Sequence, residues 1–449
     1  MDYSLVDKYN VAVPRYTSYP AVPFWDNHEL SGETWLQQVL QTFEENEEIS
    51  LYIHLPYCES LCTYCGCNKH ITKNHLVEEP YIKAVLKEWR MYTKRLPRKA
   101  KLRELHLGGG TPTFFNPENL STLIAGILAE CEVADDHAFS FEAHPFSTTR
   151  GHLEALVKLG FNRLSLGIQD FDEHILSLIN RFQTLEQVER ICADARELGY
   201  ASINFDLIYG LPQQNSGHIA ENLRQVARLK PDRIAFYSYA HVPDVAKGQR
   251  AYSEDDLPKG QEKWLLYRQA RAAFLELGYT EIGMDHFALP EDQLSISHER
   301  QELHRNFMGY TPYHTKLAIA LGASGISDSW SAFVQNEKTI KEYLRRVNSE
   351  DYPPLIKSHY LSKKEQETRA RLLELICHFR GDWSEQAQYF EEFLRERFAL
   401  LQADGLLEIQ GYKVQVSALG RSFIRNICSV LDESLSSTQL QKPTFSKAV

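Results

Sequence analysis

No stretch of about 18 consecutive apolar residues occurs anywhere in this chain of 449 residues, so no segment has the length and apolarity of a membrane-spanning helix. Also missing is the basic end followed by an apolar stretch that marks a secretion signal. The chain instead starts Met1-Asp2-Tyr3-Ser4-Leu5-Val6-Asp7-Lys8, and a cytoplasmic, reducing location is the expectation. Positive charge is in deficit: the net charge is -11 and the pI about 5.9, which argues against nucleic acid as the main partner. A local cluster of Arg and Lys can still receive a small anionic molecule. Cysteine is scarce, eight in all, and in a reducing compartment its residues are metal ligands or buried thiols rather than a disulfide frame. Cys131, Cys192, Cys377 and Cys428 fall singly in apolar, helix-like contexts and read as core residues. The other four crowd into Cys58–Cys67. No internal repeat is visible beyond an alternation of strand-like and helix-like segments.

That alternation is the main thing present. With 43% hydrophobic and 24% charged residues the chain has the composition of a globular protein, long enough for a barrel and a smaller domain. Strand-like segments Leu51–Leu55, Glu104–Leu107, Phe139–Ala143, Arg163–Gln169, Ser202–Ile208 and Arg233–Ala240 are separated by helix-like ones. The latter are Glu79–Tyr92, Pro117–Glu130, His152–Leu159, Leu185–Leu198, His218–Leu229 and Glu262–Leu277. Six consecutive β-α units predict an α/β fold with a parallel sheet and right-handed crossovers, a partial (β/α)6 barrel, with a doubly wound sheet as the alternative. Inside five of the strands the side chains alternate. Tyr52 and His54, Glu104 and His106, Glu142 and His144, Ser165, Gly167 and Gln169, and Asn204 and Asp206 oppose apolar neighbours. In a barrel the apolar set packs under the helices and the polar set converges on the interior, where such folds carry their chemistry.

Four regions are expected along the chain: an N-terminal lid segment over 1–49, the barrel and its extension over 50–345, a mainly helical, winged-helix-like domain over 355–432, and a disordered tail over 433–449. The first contains Pro14-Arg15-Tyr16-Thr17-Ser18-Tyr19-Pro20, whose prolines favour an extended path. The stretch 281–345 is mixed and includes Leu321-Gly322-Ala323-Ser324-Gly325-Ile326. The third region has helical stretches Glu365–Phe379 and Ala387–Ala403, a hairpin over Leu406–Val416 and a last helix near Arg421–Leu431. The tail is rich in Ser, Thr and Gln.

Directly after the first strand, Cys58, Cys62 and Cys65 are separated by three and then two residues, with Cys67 just beyond. Three thiolates on one loop can wrap a single 4Fe-4S cluster and leave one iron open to another ligand. Four thiolates could alternatively close a structural zinc tetrahedron, although zinc sites usually pair two knuckles far apart in sequence.

The loop Cys58-Glu59-Ser60-Leu61-Cys62-Thr63-Tyr64-Cys65 resembles the signature of the radical S-adenosylmethionine (SAM) superfamily, and Gly108-Gly109-Gly110-Thr111-Pro112-Thr113 resembles that superfamily's glycine-rich SAM-contacting segment. The resemblance implies a cluster on Cys58, Cys62 and Cys65 whose open iron is chelated by SAM, the source of a 5′-deoxyadenosyl radical. Further segments, namely Pro14–Pro20, Tyr52–Cys58, Gly66–Lys69, Asn204–Pro212 and His304–Asn306, resemble the oxygen-independent coproporphyrinogen III oxidase family over nearly the whole chain. Its members remove a β-hydrogen, carbon dioxide and an electron from each of two propionates, leaving vinyl groups and giving protoporphyrinogen IX in anaerobic haem biosynthesis.

By the same resemblance, Tyr52, Gly109 and Glu142 contact the cluster-bound SAM. Tyr64, Gly110, Thr111, Gln169, Arg181, Asp206, Ala240 and Ile326 match positions that bind that SAM or a second SAM beside it. The expected partners are coproporphyrinogen III, a low-potential electron donor and an electron acceptor, with no nucleic acid, no membrane and a monomeric state. Arg15, Lys69, His304 and Arg305 are candidates for the substrate's carboxylates by motif placement, and Cys67 is not expected to be a ligand. One departure stands out: better-known members read Glu-Val-Asp-Pro where this chain reads Glu142-Ala143-His144-Pro145. A haem-binding chaperone on the same scaffold, another radical SAM tetrapyrrole enzyme, and a zinc-stapled barrel remain as alternatives. Cys67 and the Pro14–Pro20 segment favour the enzyme over the chaperone.

Overall fold

The structure is a computed structural model and describes residues 4–244, 246–437 and 445–447. Its centre is a run of parallel strands, β1 (Glu48–Leu55), β2 (Ala100–Gly109), β3 (Cys131–Ala143), β4 (Phe161–Gln169), β5 (Ser202–Tyr209) and β6 (Arg233–Ser238). Each is hydrogen-bonded to the next. They are followed in turn by α1 (Glu78–Thr93), α2 (Pro117–Leu128), α3 (Arg150–Val157), α4 (Leu185–Glu197), α5 (Ser216–Leu229) and α6 (Gly260–Glu276). Leu105, Leu107, Phe139, Phe141, Leu164, Leu166, Ile203 and Phe205 on the strands join Trp89, Leu120, Ile124, Leu153, Ile191 and Val226 on the helices in one buried core. Local sequence sets the helix starts: Thr184 and Gln187 form a capping box at α4 and Asn116 caps α2 with Pro117 at its first position.

The strands keep chain order across the sheet, without the reversal that a doubly wound sheet requires. The fold is thus the partial (β/α)6 barrel. Beyond β6 the sheet continues antiparallel through β8 (His286–Ala288) to β7 (Thr280–Gly283). A separate hairpin, β9 (His304–Asn306) and β10 (Gly309–Thr311), follows. On the other side β11 (Leu317–Leu321) runs parallel to β1. It is followed by antiparallel β12 (Ile326–Asp328), β13 (Ala332–Asn336) and β14 (Leu355–Tyr360). The resulting twelve-stranded sheet has β14 and β7 at its edges, which do not pair with each other. None of the helices among the described residues is long and apolar enough to cross a membrane.

The C-terminal region opens with the helix Lys363–His378, capped by Ser362 and Glu365. A three-stranded sheet of Arg380–Asp382, Lys413–Val416 and Leu407–Gln410 follows, and then the helix Ile424–Ser429. The stretch from Ala387 to Ala403 is helical but passes through a wider π turn at Phe390–Leu394. The N-terminal segment lies against this region. Asn426 donates to the Tyr9 carbonyl at 2.9 Å, Arg425 to the Pro14 carbonyl at 3.2 Å, and the Tyr16 hydroxyl to Asp432 at 3.2 Å. A helix, Gly32–Glu45, buries Trp35, Leu36, Val39 and Phe43. Of the tail over 433–449, Ser434–Ser437 forms a helical turn and Lys447 bridges Ala12; residues 438–444 and 448–449 lie outside the described residues.

Candidate active site

The inward rows of β2 to β6 enclose a cavity of about 440 Å³ lined by Glu104, His106, Glu142, His144, Ser165, Gly167, Gln169, Asn204 and Asp206, among others. A second cavity of about 420 Å³ lies against the cysteine loop and is lined by Cys58, Cys62 and Cys65. Tyr64, Cys65, Gly110, Thr111, His144 and Arg181 line both, so they form the border between cysteine loop and lumen. Tyr52 stands behind this border. His54 donates from Nε2 to the Asn68 carbonyl at 2.8 Å, which leaves Nδ1 to accept the Tyr52 hydroxyl at 3.1 Å. The Tyr52 ring stacks on His106 at 5.9 Å.

The loop is held from several sides. Cys58 lies on a two-residue strand, Tyr57–Cys58, that pairs with His70–Ile71. The Thr111 hydroxyl donates to its sulfur at 3.3 Å. Lys69 donates to the carbonyls of Cys65 at 2.9 Å and Cys67 at 3.4 Å. Arg181 donates to the Cys62 sulfur at 3.5 Å and to the Tyr64 hydroxyl at 3.4 Å, and also holds the Gly167 carbonyl. Burial pushes the Cys58 thiol up to about 11. A hydrogen bond with Cys67 draws Cys65 down to about 6, helped by Lys69, and pushes Cys67 well above the usual thiol range. Cys67 lines the lumen, not the cavity of the other three thiols.

Close packing explains the glycines at the end of β2. A Cβ on Gly110 would fall 2.6 Å from the Pro56 carbonyl group, and one on Gly109, whose φ is +117°, would fall 2.7 Å from the His54 ring. The Gly109 N–H donates to Glu142 at 3.3 Å, and Glu142 lies 3.6 Å from His106 Nε2. On β4, Gly167 leaves room for the ends of Gln169 and Arg181, 2.9 and 3.1 Å from where its Cβ would be. Gln169 itself has φ +72°, where the register between β4 and β5 slips by one residue. Asp206 accepts from Ser165 at 2.8 Å and Asn204 at 2.9 Å, yet burial raises its carboxyl to about 7. His144 accepts the Phe146 N–H at 3.1 Å, and burial together with Arg181 keeps its ring neutral.

Of the residues singled out from sequence, Tyr64, Gly109, Gly110, Thr111, Glu142, Gln169, Arg181 and Asp206 surround the lumen, and Cys58, Cys62 and Cys65 the adjoining cavity. Ala240 and Ile326 line neither. The Ala240 carbonyl accepts from Gln249, which also binds the Tyr64 carbonyl, and Ile326 packs on the cluster of Trp25, Phe333 and Leu361. Among the four candidates for carboxylates, Arg15 is paired with Asp285 and Lys69 holds the cysteine loop. His304 is kept neutral by burial and stacks on His314 at 4.1 Å. Arg305 keeps two buried nitrogens without a partner and lies over the Tyr310 ring at 4.6 Å. Sequence reading missed the lumen residues Arg163, Arg233, Tyr237 and His286. Alternation could have found Arg163, which shares the parity of Ser165 and Gly167.

The donor set fits an iron–sulfur cluster. Three thiols surround one cavity, but among the described residues no three His, Cys, Asp or Glu side chains are close enough to hold a single ion. A cluster takes one thiolate per iron, whereas a tetrahedral zinc draws its ligands to one point. Residues 52–226 match the model of the radical SAM superfamily. The chain is 37% identical to the oxygen-independent coproporphyrinogen III oxidase of Escherichia coli over 97% of its length and 95% of that protein. To the Pseudomonas aeruginosa protein of the same name it is 35% identical, over 100% of this chain and 98% of the other. Its structure superposes on that of the E. coli coproporphyrinogen III oxidase, described as a radical SAM enzyme, with a TM-score of 0.88 and 34% identity over 96% of this chain and 99% of that one.

Proposed function

The chain belongs to the oxygen-independent coproporphyrinogen III oxidases of the radical SAM superfamily, and from that premise we propose how its residues divide the work. The reaction is the oxidative decarboxylation of two propionate side chains of coproporphyrinogen III to vinyl groups. Each propionate loses a β-hydrogen, carbon dioxide and one electron. Bound 4Fe-4S cluster and SAM supply the radical oxidant that removes the hydrogen.

Cys58, Cys62 and Cys65 hold the cluster. The observation that carries this reading is that all three thiols line one cavity, bordered by Gly110, Thr111 and Arg181, with Cys65 also reaching the polar lumen. Thr111 and Arg181 donate to Cys58 and Cys62 and disperse thiolate charge. Tyr52, Gly109 and Glu142 hold the SAM on the cluster, and Glu142 suits its ammonium group. Tyr64, Gly110, Thr111, Gln169, Arg181 and Asp206, which line the lumen, serve this SAM or a second one, and Ala240 and Ile326, which line neither cavity, are assigned to one or other by resemblance alone. A neutral His144 beside Arg181 leaves that guanidinium's charge for a ligand carboxylate. Burial of the lumen wall excludes water that would divert a radical.

The enzyme works as a cytoplasmic monomer, with a low-potential electron donor and a separate acceptor; its eight free cysteines support a reducing location. The test is anaerobic. Reconstituted protein given SAM, a low-potential reductant, an electron acceptor and coproporphyrinogen III is expected to form protoporphyrinogen. Stoichiometric haem binding without turnover would overturn the enzyme reading in favour of a chaperone.

A further inference from the structure

Among the described residues, the charged side chains of the lumen are matched, with one exception. Arg233 is held by Asp292, Nε to both carboxylate oxygens at 2.8 Å. Glu104 accepts from Ser50 at 2.7 Å and from Thr311. Asp206 is held by Ser165 and Asn204, Glu142 by the Gly109 N–H, and Arg181 by the Gly167 carbonyl. Arg163 also lines the cavity, but its side chain makes no hydrogen bond or ion pair with any described residue. A guanidinium carries five donors in a planar fork, so leaving all of them unmatched inside a protein is costly.

Its surroundings make the mismatch one of charge as well. Burial and the neighbouring Arg233 pull the Arg163 guanidinium down to about 9, and Asp292 and Glu104, which act against this, stay beyond hydrogen-bond reach. An anion is therefore the missing partner. Arg163 stands in register with Ser140 on β3 and Ser202 on β5, below the inward row Ser165, Gly167 and Gln169. Six residue steps of strand lead from Arg163 to Gln169, roughly 20 Å at the ordinary rise. An anion on Arg163 is thus held well inside the barrel, away from the end that carries the cysteine loop.

We infer that Arg163 anchors the substrate by receiving one propionate carboxylate of coproporphyrinogen III in a bidentate pair. The inference rests on the function proposed above, which brings a molecule with four carboxylates into this lumen. Arg163 takes a carboxylate that is not reacting in that turnover, and so fixes how far the tetrapyrrole sits from the cysteine loop. It is a substrate-binding residue and takes no part in the hydrogen abstraction.

The probes are coproporphyrin III, the stable fluorescent oxidised form of the substrate, and its tetramethyl ester. Both are titrated into reconstituted wild-type, Arg163→Gln and Arg163→Lys proteins. Arg163→Gln is expected to weaken binding of the tetra-acid by about 10- to 100-fold, as for loss of a charged hydrogen-bonded pair, and to leave the ester unchanged. Arg163→Lys, which keeps the charge but loses the fork, is expected to show a smaller loss. KM for coproporphyrinogen III should rise in parallel while kcat stays within a few-fold, the pattern of lost uniform binding. Either variant binding the tetra-acid with wild-type affinity overturns the anchor, and if Arg163→Gln does not fold, Arg163→Lys decides. A wild-type protein that neither binds nor converts the tetrapyrrole overturns the underlying function and the anchor with it. That failure is visible in the control alone.

Discussion

Cys62 and Cys67 sit on one loop and face different cavities. Cys62→Ala is expected to abolish SAM cleavage, whereas Cys67→Ala should keep the broad absorption near 400 nm that thiolate-bound clusters show (roughly). Anaerobic reconstitution followed by spectroscopy checks both, and a Cys67 variant without any cluster contradicts the three-ligand assignment. Asp206 offers a test by pH. Its carboxyl, raised by burial to about 7, binds more protons folded than unfolded between about pH 4 and about pH 7, so its contribution to stability falls as pH rises through that window. Asp206→Asn removes this dependence. The variant's stability relative to wild type, followed by denaturant titration of the ligand-free protein, is expected to climb from about pH 4 to about pH 7 and then level off. Much of this site could be read from side-chain parity, because Glu142, Gln169 and Asp206 alternate with apolar neighbours. Arg163 obeys the same parity but begins the segment Arg163–Gln169 read from the sequence, where a basic residue reads as a solvated end; the strand itself starts at Phe161. The pairing of Arg15 with Asp285 crosses 270 positions and leaves no local trace at all.

At the scale of elements, each barrel strand and helix was foreseeable from periodicity, but β2 starts at Ala100 rather than Glu104 and β3 at Cys131 rather than Phe139, well before their alternating centres. The extension strands were less legible. Leu317–Leu321 is a short run buried with no polar alternation, which suits a strand or a helix segment equally. The helix Gly32–Glu45 carried a usable signal in Trp35, Leu36, Val39 and Phe43, overshadowed by the prolines before it. Two substitutions separate packing from capping. Gly110→Ala forces a Cβ to within 2.6 Å of Pro56 backbone and 2.8 Å of the Tyr57 carbonyl, directly before Cys58. It is expected to cost about 1–3 kcal/mol and to lower the iron content after reconstitution. Thr184→Ala, which removes the cap of α4 at a residue lining neither cavity, should cost about 1 kcal/mol, visible as a lower Tm with unchanged SAM cleavage.

For the whole molecule, the N-terminal segment links barrel and C-terminal region. Arg15 pairs with Asp285 and lies over the ring of Tyr237, a lumen residue, at 5.6 Å. Arg15→Ala is expected to speed proteolytic cleavage within residues 4–30 and to raise KM for the substrate, measured by limited digestion and steady-state kinetics. The other side of this segment is tied far along the chain: Arg425 to Val13 and Pro14, Asn426 to Tyr9, and Asp432 to Tyr16, with separations of 411 to 417 positions. Contacts of such long range cannot form early. During synthesis residues 9–16 must wait for residues 425–432, made more than 400 positions later, before they find their places. Until then the flank beside Tyr237 stays uncovered, while the strands that frame the lumen and the cysteine loop have already been made.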